Sequence, residues 1–317
     1  KYFQATGSAA SDAGAYVDGD DALAAGEASA AIGNGASALG AGSRAMDDGA
    51  TAVGFNALAL SANAVAMGNA AQASAANAVA LGNASQASGE ESVAVGSESA
   101  ASGYLASAFG AAAEANGDGS LASGALATAD GIESSAVGFF ATANGDGASA
   151  LGAESLADGE TATAVGFASV AGNDYTTAVG GWAEATGFNS TAVGNSAIAF
   201  AQDASAFGAD AGAMGRASTA VGQGASAAAL ASTALGQEAE AGGEFATAVG
   251  KSALANGAGA VAVGEYSDAS GNESVAIGGT ALGLLNVEAS GEGATALGAG
   301  ALAEGDYSLA QGWLSTA

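Results

Sequence analysis

The chain has 317 residues, 32 of them Asp or Glu against four Lys or Arg, with no His, Pro or Cys and a formal net charge of −28. That balance argues against nucleic acid or an anionic membrane surface as partner. Only 11% of residues are charged and half are apolar, mostly alanine, which excludes an ordinary globular composition and points to a fibre or solenoid with a thin core of small side chains.

The chain opens on Lys1, Tyr2, Phe3, Gln4 and Ala5, and a repeat begins weakly around Asp12. A glycine then stands at 26, 40, 54 and every fourteenth position to 278 without a slip. Gly298 and Gly312 resume the spacing after a gap of twenty, so six extra residues precede Gly298. The period predicts about 22 coils over residues 1–317, read as one continuous region with an insertion near 283–288.

With each glycine counted as position zero, the residue types separate by position. Positions 3, 5, 10 and 12 hold Ala or Ser almost throughout, with Gly283 as the exception at position 5 and Thr176 at position 10. Apolar alternation of period two, interrupted by glycine twice per repeat, predicts strands and not helices. Each coil is expected to be two short strands and two turns, at positions 0 to 2 and 7 to 9, where glycine supplies a positive φ at little steric cost. The fold class is therefore all-β, a flattened parallel β-roll whose interior admits only small side chains and no ligand.

Alternation turns positions 11 and 13 outward. Position 13 carries Val53, Val95, Phe109, Val137, Val165, Val179, Val193, Phe207, Val221, Val249, Val263 and Ile277, with Leu or Met in most other coils. An apolar stripe of that length exceeds what a soluble monomer leaves in water, so this face is predicted to join copies of the chain. Acidic residues gather at the second turn; Asp146, Glu160 and Asp174 follow one another at position 8. They read as a solvated edge, or as clustered oxygens for a hard cation such as Ca²⁺. No cofactor is expected.

Aromatic residues stand on the first turn, notably Phe139, Phe140, Phe167 and Trp182. They are candidates for an exposed patch that meets sugar rings or a protein partner, or for lids over the seam between chains. An enzyme is not expected: with no His or Cys, and Lys1, Arg44, Arg216 and Lys251 as the only basic side chains, no nucleophile, acid and base converge. An ice-binding role is weakened because Ser and Val break the Thr row at position 11, which shares its face with position 13.

The cell Ser274, Val275, Ala276, Ile277, Gly278, repeated every fourteen residues, resembles the YadA-like head of trimeric autotransporter adhesins. The opening residues with Asp12, Asp20 and Asp21 look like the segment that leads into such heads. The resemblance implies a left-handed β-roll and a homotrimer packed through positions 11 and 13. It also implies display on the outside of a Gram-negative outer membrane, anchored only through a C-terminal segment outside this sequence. Its expected partners are a host extracellular matrix protein or a cell-surface receptor or glycan. A spacer within the same fibre fits the residues as well. The insertion around Leu284 and Leu285 is expected to pack on a neighbouring chain.

Overall fold

The structure, a computed structural model, describes residues 13–317. The lead-in expected at Lys1 to Ala5 and Asp12 lies outside them. Two compact units divide the chain, one ending at Ser155 and one running from Leu156 to Ala317.

In the first unit, ten two-residue strands from Tyr16–Val17 to Thr142–Ala143 alternate along the chain with ten three-residue strands from Leu23–Ala25 to Ser149–Leu151. Every pairing is parallel and joins residues fourteen apart, as in Tyr16 with Ala30 and Leu23 with Ser37. The second unit repeats the pattern with eleven strands of each kind, from Leu156–Ala157 to Leu309–Gln311. Each unit is thus a parallel β-solenoid of 14-residue coils, with no helix among the described residues.

The short strand covers positions 4 and 5 and the long strand positions 11 to 13. Backbone hydrogen bonds run from coil to coil: Leu58 N–H donates to the Ala71 carbonyl at 2.8 Å, and Thr51 N–H to Ala64 at 2.8 Å. Both sheets turn Ala and Ser inward, and positions 3, 5, 10 and 12 are buried nearly without exception, as at Ala57, Ala59, Ala64 and Ala66. Larger residues would force the two sheets apart, so small volume at four positions is what closes the coil.

Both turns are four-residue turns closed by the N–H of the last residue on the carbonyl of the first, as in Ala197 to Gly194 at 3.3 Å and Ala204 to Ala201 at 3.2 Å. The left-handed residue is the third of each, at positions 2 and 9, the placement of a type II turn. Glycine was expected to supply that φ, yet most coils use other residues: Asn77 at 56°, Phe140 at 56°, Tyr175 at 59°, Trp182 at 54° and even Thr161 at 53°. The glycine at position zero answers a different demand. Gly208 has φ +132°, and a Cβ there would come within 2.6 Å of the Gly222 carbonyl oxygen in the next coil. The coils stack too closely at this corner for any side chain.

Inward hydroxyls follow the turns. Serine at position 3 donates to the carbonyl of its own glycine, as Ser43 does to Gly40 at 2.8 Å and Ser169 to Gly166 at 3.0 Å. Position 10 divides by what stands at position 7. Where that residue is Ala229 or Asn173, the Ser232 and Thr176 hydroxyls donate to its carbonyl at 2.8 and 2.5 Å. Where it is glycine, the turn swings its N–H towards position 5 of the next coil, as Gly215 does to Ala227 at 3.3 Å. The buried hydroxyls of Ser92, Ser120, Ser134, Ser190, Ser218 and Ser274 then have no partner.

The six extra residues enlarge one first turn, between Gly278 and Val287. Residues 281 to 285 form a small hairpin, with Ala281 N–H on the Leu285 carbonyl at 2.7 Å and Leu285 N–H returning to Ala281 at 3.1 Å. The expected Gly283 at position 5 gives way: Gly283 lies in the hairpin at φ +70°, and Ala289 on the strand Glu288–Ala289 takes the inward place. Position 3 of this coil is Val287, fully buried, where Ala or Ser was expected. The enlarged turn opens enough room beneath it for two more methyl groups.

Candidate functional site

The outward face of the long strands carries the predicted apolar row, set by parallel register alone. In the first unit Val53 neighbours Met67, Val95 neighbours Phe109, and Val137 neighbours Leu151. In the second, Val165, Val179, Val193, Phe207 and Val221 follow in sequence, and Val249, Val263 and Ile277 do the same further on. In the single chain this row stands open, with Phe109, Val137, Phe207, Val221 and Ile277 between 37% and 42% exposed. The remaining valines are half-buried, because each is covered only by the same position of the coils on either side.

Position 11 flanks the row with Thr or Ser in most of the second unit, as at Thr177, Thr191 and Thr219, all half-buried. Methyl groups and hydroxyls thus lie on one flat strip, which can bury area and still make polar contacts.

Two aromatic pairs form on the first-turn edge. Phe139 and Phe140 are neighbours within one turn and meet edge to face, centroids 5.1 Å apart. Phe167 and Trp182 come from successive coils and do the same at 5.3 Å. All four rings are about half exposed, and Phe140 and Trp182 occupy the left-handed position, which throws the side chain clear of the coil. Such a ring pair is a firm apolar platform with little rotamer freedom left to lose on binding. Tyr266 takes a third first turn, with the Lys251 ammonium 5.6 Å from its ring centre.

A second set of rings was not singled out from sequence. Tyr175 and Phe188 meet edge to face at 5.6 Å on the second-turn edge, and Phe200 and Met214 stand exposed at position 6 of the two coils that follow. Their places in the repeat, at positions 6, 8 and 9, set them apart from the first-turn rings at positions 1 and 2 and are legible in the sequence.

The acidic residues at position 8 have a structural task. Asp146 Oδ1 accepts the N–H of Ile132 at 2.9 Å, and Asp174 Oδ1 accepts that of Glu160 at 2.9 Å, each one coil back. Asn34 and Asn272 do the same for Asp20 and Ala258 at 3.1 Å. The position supplies an acceptor to an N–H that the turn leaves over. Its recurrence as Asp or Asn was visible in the sequence; the bond was not.

The coil geometry and its fourteen-residue register are those of a known repeat. The family model described as YadA head domain repeat, two copies to a match, fits thirteen overlapping or successive segments between residues 31 and 315, among them 31–57, 129–155, 157–181 and 289–315. The chain belongs to the YadA head family. The YadA head repeats place it with surface proteins of the trimeric autotransporter adhesin type. A search of curated proteins returns no match. The segment 282–288, which holds all of the hairpin but Ala281, falls between two YadA head matches.

Proposed function

We propose that this YadA head chain is the attachment head of a trimeric autotransporter adhesin, assembled from three copies and displayed outside a Gram-negative outer membrane. The observation that carries the reading is the apolar register at position 13, interrupted at Ser123 and ended at Gln311, which runs in parallel register along each unit and is open to solvent across it. Each Val or Leu contributes roughly 1.5 to 3 kcal/mol on full burial. A row of them closed around a common axis supports an obligate homotrimer. Residues 1–317 then act as one continuous head that does no chemistry, and attachment is non-covalent.

The exposed ring pairs at Phe139 and Phe140 and at Phe167 and Trp182 are the surfaces we assign to contact with a host matrix protein or cell-surface glycan. Three copies of each around one axis multiply weak contacts into avidity.

Mass in solution at decreasing concentration tests the assembly, and three chains are expected at every concentration. Matrix-protein and glycan arrays then test attachment, with Phe167→Ala/Trp182→Ala expected to lower binding at least about tenfold. A stable trimer that binds nothing on such arrays assigns the chain to a spacer. A monomer with thermal hysteresis would turn the Thr strip into an ice-binding face.

A further inference from the structure

One large apolar side chain stands exposed in each of six successive coils of the second unit. Tyr175, Phe188, Phe200, Met214, Leu230 and Phe245 are 37% to 62% exposed and occupy positions 9, 8, 6, 6, 8 and 9. Their coils are stacked neighbours, so these places trace an arc that leaves the second turn for the short-strand face and returns. Tyr175 and Phe188 meet through their rings. Phe200 and Met214 follow directly on the paired strands Ile198–Ala199 and Gly212–Ala213, and Phe245 N–H donates to the Leu230 carbonyl at 2.9 Å. At about 4.8 Å per coil the arc spans roughly 24 Å. It stops abruptly: positions 6 and 8 carry Asp158 and Glu160 in the coil before, and Asn256 and Ala258 in the coil after.

Single apolar residues on a surface need no explanation, but a contiguous arc rimmed by polar groups does. The position 13 row belongs to the long-strand sheet, whereas the apex of the arc, Phe200 and Met214, lies on the outer face of the other sheet. Charge decides the occupant. Asp174 precedes Tyr175 at one end, Glu244 precedes Phe245 at the other, and Asp203 stands inside the bend. Glu184 and Glu240 lie behind the arc at position 4. Against these five carboxylates the six coils offer one base, Arg216. A second copy of a chain with net charge −28 would meet repulsion along this rim, and so would an anionic lipid surface. A glycan would find one hydroxyl on the arc, that of Tyr175.

We infer that the arc is a docking surface for a basic amphipathic helix of another protein, its apolar stripe on the six side chains and its lysines or arginines over the carboxylates. Same-side residues recur about every 5.3 Å along a helix and about every 6.7 Å along a strand. A helix laid along the stack therefore keeps pace with one apolar residue per coil, and a strand does not. Met214 suits such a surface. A Cβ on Gly212 would stand 3.7 Å from its methyl carbon, so the flexible thioether lies back over bare backbone and can reshape to a partner. The surface lies on the opposite edge from the first-turn rings and needs no trimer to form.

The probe is a Leu/Lys amphipathic peptide of about 18 residues, long enough as a helix to cover the arc. It is expected to bind once per chain, more weakly as salt rises, and its Leu/Glu counterpart should not bind. Phe200→Ser/Met214→Ser should weaken binding at least about tenfold while circular dichroism still reports a β-solenoid. Asp174→Asn/Glu244→Gln should weaken it less and flatten its salt dependence. Leu60→Ser, on the short-strand face of the first unit, should leave it unchanged. No binding to the parent chain would overturn the proposal. Equal binding to the Phe200→Ser/Met214→Ser variant would do the same, since the acidic edge alone would then hold the peptide. The chain has no cysteine, so Phe200→Cys can carry a photoactivated benzophenone. Adducts to a second copy in the absence of peptide would make the arc an interface between chains and overturn the proposal as well. The trimer and the first-turn rings are read separately, by mass and by arrays.

Discussion

Glycine at position zero and glycine at position 9 share a name and little else. Gly208 is held by its neighbour, with no room for a Cβ against the Gly222 carbonyl, whereas Gly35 at φ +66° has nothing within 4 Å of where a Cβ would stand. Gly208→Ala should cost at least about 3 kcal/mol, since strain and collision add. Gly35→Asn should change stability by less than about 0.5 kcal/mol, because Asn63 and Asn77 hold the same place at 56°. Thermal unfolding of both variants checks the contrast. A similar pair exists among the serines. Ser232→Ala removes a hydroxyl bonded at 2.8 Å and should cost about 1 kcal/mol, while Ser190→Ala removes one with no partner and should be neutral or stabilising. The small residues at 3, 5, 10 and 12 were legible because volume is written in the residue type. The difference between these two serines was not, since it depends on how the residue at position 7 tilts a carbonyl.

At the level of the coil, the two strands and two turns followed from the period, and the places of the outward rows followed from alternation. What escaped was the insertion. Counting forward from Gly278 puts Gly283 at position 5, but the fold resumes its phase by counting back from Gly298, so Val287 and Ala289 are coil residues at positions 3 and 5 and not loop residues.

 Ala289 faces the interior, and Val287 fills the space the wider turn leaves above it. Sequence alone does not say on which side of an insertion the phase is kept. The outward row carries its own test. Val221→Asp would set three carboxylates into the proposed seam without partners, and assembly should weaken more than about tenfold while the coil signature in circular dichroism persists. Leu60→Asp, on the exposed outer face, should leave the mass in solution unchanged.

For the molecule as a whole, stability is close to a sum over coils and their nearest neighbours. Deleting residues 195–208, one full period within the second unit, should leave a folded solenoid whose melting temperature shifts by only a few degrees. Deleting thirteen of them should abolish the cooperative transition, because a slip of one residue turns every inward alanine outward. Charge acts at the same scale. Asp268 is half-buried in the short-strand sheet beside Glu288, and burial holds its carboxyl above the ordinary value, with a hydroxyl bond from Ser270 opposing in part. The unfolded chain releases that proton at a lower pH than the folded one. The group therefore lowers stability as pH rises from the ordinary carboxylate value through its raised one, and the loss persists at neutral pH. Asp268→Asn should raise the melting temperature at pH 7 and lose that advantage near pH 3.

The column of glycines has a direction. At Gly26, Gly110, Gly208 and Gly298 the obstructing carbonyl belongs to the coil that follows, and at Gly312, the last of the column among the described residues, nothing lies within 4 Å of where a Cβ would stand, at a φ of +118°. Each coil thus carries only backbone strain against a side chain when it is laid down, and the collision is added when the next one closes over it. The stack behaves as a one-way lock, its errors cheaper at the open end and sealed one turn later. In a chain cut after residue 303, Gly298 would hold the open end, and Gly298→Ala would there cost only the strain of its φ of +126°, without the collision.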